Sequence, residues 1–328
     1  VASRFERRSR LRRDARSPAP RSALDQIRQK YQQETRLRRA PAAPRTRLGL
    51  LKHRRSDEAL DTTEQKMMEH ELAIARDLQA NILPRRLPQI PGYDISAYYK
   101  SSREVGGDYY DFIEVDERHL GLVVADVSGK GIPGSMVVQE ARVLLRTLAP
   151  GCLSPRQVLA RVNHQLYQDI IRGMFVTVYY AILDVPTRRL ALSSAGHNPM
   201  VCYRAARKSC TLVNPRGMAL GFDPGPLFER TSEERQLALE PGDRLLLYTD
   251  GVVETFNGAR EAYGTQRLYG FVRDHPHERS QELIKALAAD LERFQGEAPQ
   301  HDDITMVALR ILPDGPAAEP PEPQSKSS

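Results

Sequence analysis

Four short segments carry aspartates in a setting that suggests chemistry. They read Gly106-Gly107-Asp108-Tyr109-Tyr110-Asp111, Ala125-Asp126-Val127-Ser128-Gly129-Lys130-Gly131, Tyr248-Thr249-Asp250-Gly251 and His301-Asp302-Asp303-Ile304-Thr305. Each adjoins a run that reads as a β-strand, so each acid sits at a strand end. Convergent carboxylates repel one another and need a reason to meet. Hard divalent cations such as Mg²⁺ and Mn²⁺ supply one, because they take oxygen ligands. One such acid is ordinarily a solvated turn residue; four segments, most flanked by glycine, are harder to read that way. Two dications about 3.5–4 Å apart lower the pKa of a shared water and screen an anionic phosphoryl group. Glycines 106, 107, 129 and 131 would let backbone and water approach closely.

Other reactive side chains are read against plainer roles. Ser128 beside Asp126 raises covalent catalysis, yet no positioned base lies near it in sequence. His197, in Ser194-Ala195-Gly196-His197-Asn198-Pro199, is either a general acid for the leaving group or a ring that holds this turn. Lys130 either meets substrate phosphate or is solvated. The Gly/Pro loop Arg216–Pro226 is either a substrate or lid element or a connector. Cys152, Cys202 and Cys210 have no metal-ligand spacing and no disulfide framework, so thiols in a reducing cytoplasm are expected.

The elements that must position these groups follow from pattern. Residues 1–55 hold 18 Lys+Arg against 4 Asp+Glu, and the remainder holds 30 against 38, so an acidic body carries a basic arm. The body therefore lacks a nucleic-acid footprint, whereas the arm suits a membrane surface or nucleic acid, or is a solvated tail. No apolar run approaches the roughly 20 residues of a membrane span, and the Arg-rich start lacks the apolar centre of a signal peptide. The arm, 1–56, has too little apolar content for a folded domain. Residues 57–83 read as a helix with Leu60, Met67, Ile74 and Leu78 on one stripe, packing on its own domain or pairing with a second copy as a homodimer. It forms most of a linker segment, 57–87. From Pro88 to Leu312 short strands dominate: Tyr93–Lys100, Leu120–Asp126, Phe175–Asp184, Arg189–Ser194, Met200–Arg204, Arg244–Thr249 and Ile304–Ile311. Helices are expected from Gly134 to Leu148, from the Ser154-Pro155 start to about Ile171, and over Ser280–Phe294. Strands in meander order with paired helices argue for an α+β layered fold. The Pro/Glu/Ser-rich end, 313–328, reads as a disordered tail.

Taken in order, the motifs resemble a known family. From about Glu71 to Ile311 the chain is similar to the metal-dependent PPM-type (protein phosphatase 2C-like) serine/threonine phosphatases, in their bacterial SpoIIE/RsbU-like branch. Ala75-Arg76-Asp77-Leu78-Gln79-Ala80-Asn81-Ile82-Leu83-Pro84 and Met174-Phe175-Val176-Thr177 match alongside the four acid segments and the His197 turn. The resemblance implies two stacked antiparallel sheets flanked by helix pairs, with metals at one end. It implies that Asp126 bridges two Mn²⁺ or Mg²⁺ ions with the Val127 carbonyl on one, and that Asp250 and Asp302 hold the other. Asp108 would hold a metal-bound water directly or from behind; Gly107, Asp111, His197 and Asp303 would neighbour the site. Arg103 lies near a place where some relatives outside this branch bind phosphate. The implied activity is a cytoplasmic phosphatase acting on a phosphorylated regulatory protein, usually an anti-sigma-factor antagonist of STAS type, with its signal arriving through the N-terminal helix. Two other classes share these acids: a two-metal nuclease, which the acidic body disfavours, and an interaction protein with a dead site.

Overall fold

A computed structural model describes residues 82–129 and 131–313, with Met67, His70 and 74–76 before them. The basic arm, most of the expected helix 57–83, Lys130 and the tail from 314 lie outside the described residues. Met67, His70, Ile74, Ala75 and Arg76 are helical, while Ile82 and Leu83 lie in a turn. The expected helix thus stops short of Leu83, because Pro84 disfavours helical geometry in the residue before it.

Among the described residues the chain forms two five-stranded antiparallel sheets. One has the order β1 (Tyr93–Lys100), β10 (Ile304–Ile311), β9 (Arg244–Tyr248), β6 (Met200–Arg204), β7 (Ser209–Val213). The other has the order β2 (Asp108–Glu114), β3 (His119–Val127), β4 (Val176–Asp184), β5 (Arg189–Ala195), β8 (Glu234–Ala238). Helices α1 (Ile132–Leu148) and α2 (Pro155–Asp169) cover the second sheet. Short helices α3 (Pro226–Thr231) and α4 (Asp250–Val253) follow, then α5 (Gly264–Asp274) and α6 (Ser280–Gln295) on the first sheet. No helix among the described residues is long and apolar enough to cross a membrane.

Four layers explain why the central strands read as continuous apolar runs. In β3, Leu120, Leu122 and Val124 face the other sheet, while Val123, Ala125 and Val127 face α1 and α2. In β10, Val307, Leu309 and Ile311 enter the space between sheets, and Met306 and Ala308 face α5 and α6. Both faces are buried, so no polar alternation survives. From Tyr93 onward the seven expected strands and three expected helices are present to within two residues at each end. The elements without a sequence signal are telling. β7 and β8 are outer strands with half-exposed residues, and β2 carries acids at three of seven positions. Helix α5 has Gly270 at its centre, which weakens its local preference.

Candidate active site

The four acid segments meet at one end of the sandwich. Asp108 opens β2 and lies directly opposite Asp126 of β3 in the ladder. Thr249 follows β9 and occupies the N-cap position of α4, whose first residue is Asp250, without a side-chain capping bond. Asp302 and Asp303 lead into β10, which pairs with β9. Asp126, Val127, Asp250, Asp302 and Asp303 line a single cavity of about 290 Å³, with Gly107, Phe175, Thr177, His197 and Asn198 among its other walls.

Asp108 is not part of this lining. It is 3% exposed and lies beside Asp126 across the ladder. Its Oδ2 accepts hydrogen bonds from Thr249 Oγ1 at 2.7 Å and Thr305 Oγ1 at 2.6 Å. Thr305 N in turn donates to Thr249 Oγ1 at 3.0 Å. Burial first, and the neighbouring Asp126 second, push its pKa well above the usual carboxylate range, against the two hydroxyl donors. The Asp108–threonine cluster ties β2 of one sheet to β9 and β10 of the other.

Asp303 does more than neighbour the site. Its Oδ1 accepts from Ser102 N at 2.7 Å and Ser102 Oγ at 2.9 Å, and its Oδ2 from Gly107 N at 2.6 Å. It thereby fixes the loop before β2. Glycines permit this crowding. A Cβ at Gly251 would collide with the Asp303 carbonyl oxygen, and one at Gly107 would sit 3.0 Å from the Val127 carbonyl oxygen and 3.1 Å from that of Gly129.

Other candidates resolve differently. Ser128 Oγ donates to the Phe175 carbonyl at 3.0 Å and accepts from Phe175 N at 2.7 Å, so its hydroxyl is engaged in holding β4. His197 lines the cavity but is 6% exposed, with Nδ1 2.8 Å from Thr177 Oγ1. Burial lowers its pKa to about 4, with the Tyr248 backbone opposing, so the ring is neutral at pH 7. The turn around it is held by Ser194 Oγ, which accepts from His197 N at 3.1 Å. Asp111 is not brought to the cavity. It is fully buried toward α1, where Arg146 donates to its two oxygens at 2.6 and 2.7 Å and the Tyr109 hydroxyl joins it. Three residues apart on β2, Asp108 and Asp111 point to opposite faces of the sheet, so Asp111 turns toward α1 and away from the acid cluster. Arg103 does not line the cavity either. Thr249, Thr305 and Phe175 lay inside the recognised segments, but their partners come from strands far away in sequence.

The donor set suits hard dications. The lining offers carboxylate and carbonyl oxygens and no thiol, and Gly107 leaves open the space a Cβ would fill beside the Val127 carbonyl. Among the described residues no three His, Cys, Asp or Glu side chains cluster tightly enough to cage an ion by themselves. Carboxylates spread along a wall match ions that keep part of their water shell, as Mg²⁺ does.

This sandwich, with its acid-lined end, is the fold of PP2C-type domains. It superposes on the SiaA PP2C domain of Pseudomonas aeruginosa with TM-score 0.67 and 25% identity, over 76% of this chain and 98% of that one. The RsbU and RsbW domains of a Mycobacterium tuberculosis protein give TM-score 0.58 and 28% identity, over 70% and 62%. Among curated relatives, phosphoserine phosphatase RsbU of Bacillus subtilis is 29% identical over 248 residues, 75% of this chain and 71% of that protein. Phosphoserine phosphatase RsbP of the same organism is 26% identical over 245 residues, 74% of this chain and 58% of that protein. Fold and relatives define a metal-dependent serine/threonine phosphatase of PPM type in bacterial signalling. The chain belongs to the SpoIIE family, whose model, described as Stage II sporulation protein E, matches residues 116–312.

Proposed function

We propose that this chain removes phosphate from a serine or threonine of a small regulatory protein, using two divalent ions, Mn²⁺ or Mg²⁺, held at the acid-lined cavity. The observation that carries the reading is the gathering of Asp126, Asp250 and Asp302, from three distant segments, around one cavity. Asp126, the Val127 carbonyl, Asp250 and Asp302 would hold the ions. When bound, the pair supplies an activated water at neutral pH and screens the phosphoryl oxygens. Asp108, opposite Asp126 in the ladder and held by Thr249 and Thr305, would orient metal-bound water, while Asp303 holds the loop that carries Gly107 in place. The Ser128 hydroxyl is engaged by Phe175 and is not a free nucleophile. In this reading water is the attacking group. By family resemblance the substrate is an anti-sigma-factor antagonist of STAS type, and the setting is the cytoplasm.

The test compares phosphate release from a phosphorylated STAS protein with cleavage of DNA and RNA, each with and without Mn²⁺. Manganese-dependent phosphate release and no nuclease activity is the expected result. Nuclease without phosphatase activity would replace this reading.

A further inference from the structure

One aromatic side chain at the cavity mouth is left out of the core. Phe222 is 58% exposed, yet it stacks on Phe175 with ring centroids 4.8 Å apart and planes 24° apart. Phe175 is itself a wall of the cavity. The two rings therefore form a continuous apolar ledge that starts inside the site and ends in solvent.

The ledge is rigid at its base. Phe175 is clamped through its main chain by Ser128, whose N also donates to the Phe175 carbonyl at 2.9 Å. The loop bearing Phe222 is pinned on both sides of the ring. Leu220 exchanges backbone hydrogen bonds with Val176 at 3.1 and 2.8 Å. Asn163, fully buried, accepts from Gly221 N at 2.9 Å and donates to the Asp223 carbonyl at 2.8 Å. Asp223 Oδ1 then accepts from the Gly225, Leu227 and Phe228 amides, starting α3. These contacts account for the loop's shape without its aromatic ring, because none of them uses the Phe222 side chain. Folding leaves most of the apolar Phe222 surface in water, where it gains nothing from burial. Rigid, exposed aromatics of this kind are what protein contacts bury.

We propose that Phe222 is a docking residue for the phosphoprotein substrate, taking an apolar side chain that flanks the phosphoserine as it enters the cavity. The assignment rests on the phosphatase reading above. Whatever protein places a phosphoserine in this cavity must cover its mouth, and the ledge is the continuation of the cavity wall. Phe222 acts on recognition and not on the bond broken, so its effect depends on substrate size.

The experiment measures kcat and KM of the full-length chain for a phosphorylated STAS protein and for p-nitrophenyl phosphate. Phe222→Ser should lower the ratio of the two kcat/KM values about tenfold, through KM for the protein, the loss expected of a truncated aromatic contact. Phe222→Leu should restore most of it. Equal loss on both substrates, with a lowered Tm, would make Phe222 a structural cover for Phe175 and overturn the proposal. An unchanged ratio would also overturn it, and if self-association fell with it, the ledge would belong to a second copy of the chain. A wild-type chain inactive on both substrates would overturn the phosphatase reading, and this proposal with it.

Discussion

Asp108 shows what a buried acid needs. Three per cent exposed, it survives because two hydroxyls from the opposite sheet, Thr249 and Thr305, donate to one of its oxygens. A hydrogen bond to a buried carboxyl is worth about 2 kcal/mol, and leaving the acceptor unserved forfeits it. Thr305→Val should therefore lower the urea midpoint by about that stability and reduce turnover, while Thr305→Ser keeps both near wild type. A Thr305→Val midpoint equal to wild type would break the link between the sheets drawn here. The acids were legible in the sequence because four aspartate segments at strand ends, most of them flanked by glycine, share one chemical explanation. The threonines stood in the same segments, but a hydroxyl has many bland uses, and its partner here is more than a hundred residues away. Asp303 was read only as a neighbour for the same reason; its grip on Ser102 and Gly107 depends on how a loop and β10 meet.

The N-cap position of helix α1 is Gly131, five residues after Asp126, so the seating of the helix sets the loop that carries the Val127 carbonyl. Its hold on the sheet is partly ionic. Arg146 in the last turn of α1 forks onto the buried Asp111 of β2 at 2.6 and 2.7 Å. Removing the guanidinium leaves a buried carboxylate unpaired. Arg146→Met should cost about 3 kcal/mol, the low end for a broken buried pair, because the arginine is half-exposed. Denaturant unfolding of the two proteins measures it, and a loss below about 1 kcal/mol, the size of a surface pair, would mean that other contacts seat α1. Helices α1, α2 and α6 and the central strands were legible because each buries a periodic or continuous apolar set. The outer strands β7 and β8 were not, since a half-exposed edge carries no continuous apolar run. Strand β2 hid behind its own function, for Asp108 and Asp111 make it look like a loop.

As a whole, the body is an acidic sandwich whose chemistry sits at one end and whose helices cover both faces. Beyond residue 55 it holds 30 Lys+Arg against 38 Asp+Glu. An extended polyanion would meet a repelling surface, whereas a single phosphoserine needs attraction only at the metals. This separates a phosphatase from a nuclease built on the same acids. The measurement that tests the central claim most directly is calorimetric titration of Mn²⁺ into the full-length chain and its Asp126→Ala variant, with phosphate release followed in parallel. The account predicts two ions per wild-type chain. In the variant, binding should weaken by at least tenfold and turnover should fall below about 1% of wild type, as for loss of a shared metal ligand. Unchanged Mn²⁺ binding in Asp126→Ala, or full turnover by wild-type protein without divalent ions, would contradict it.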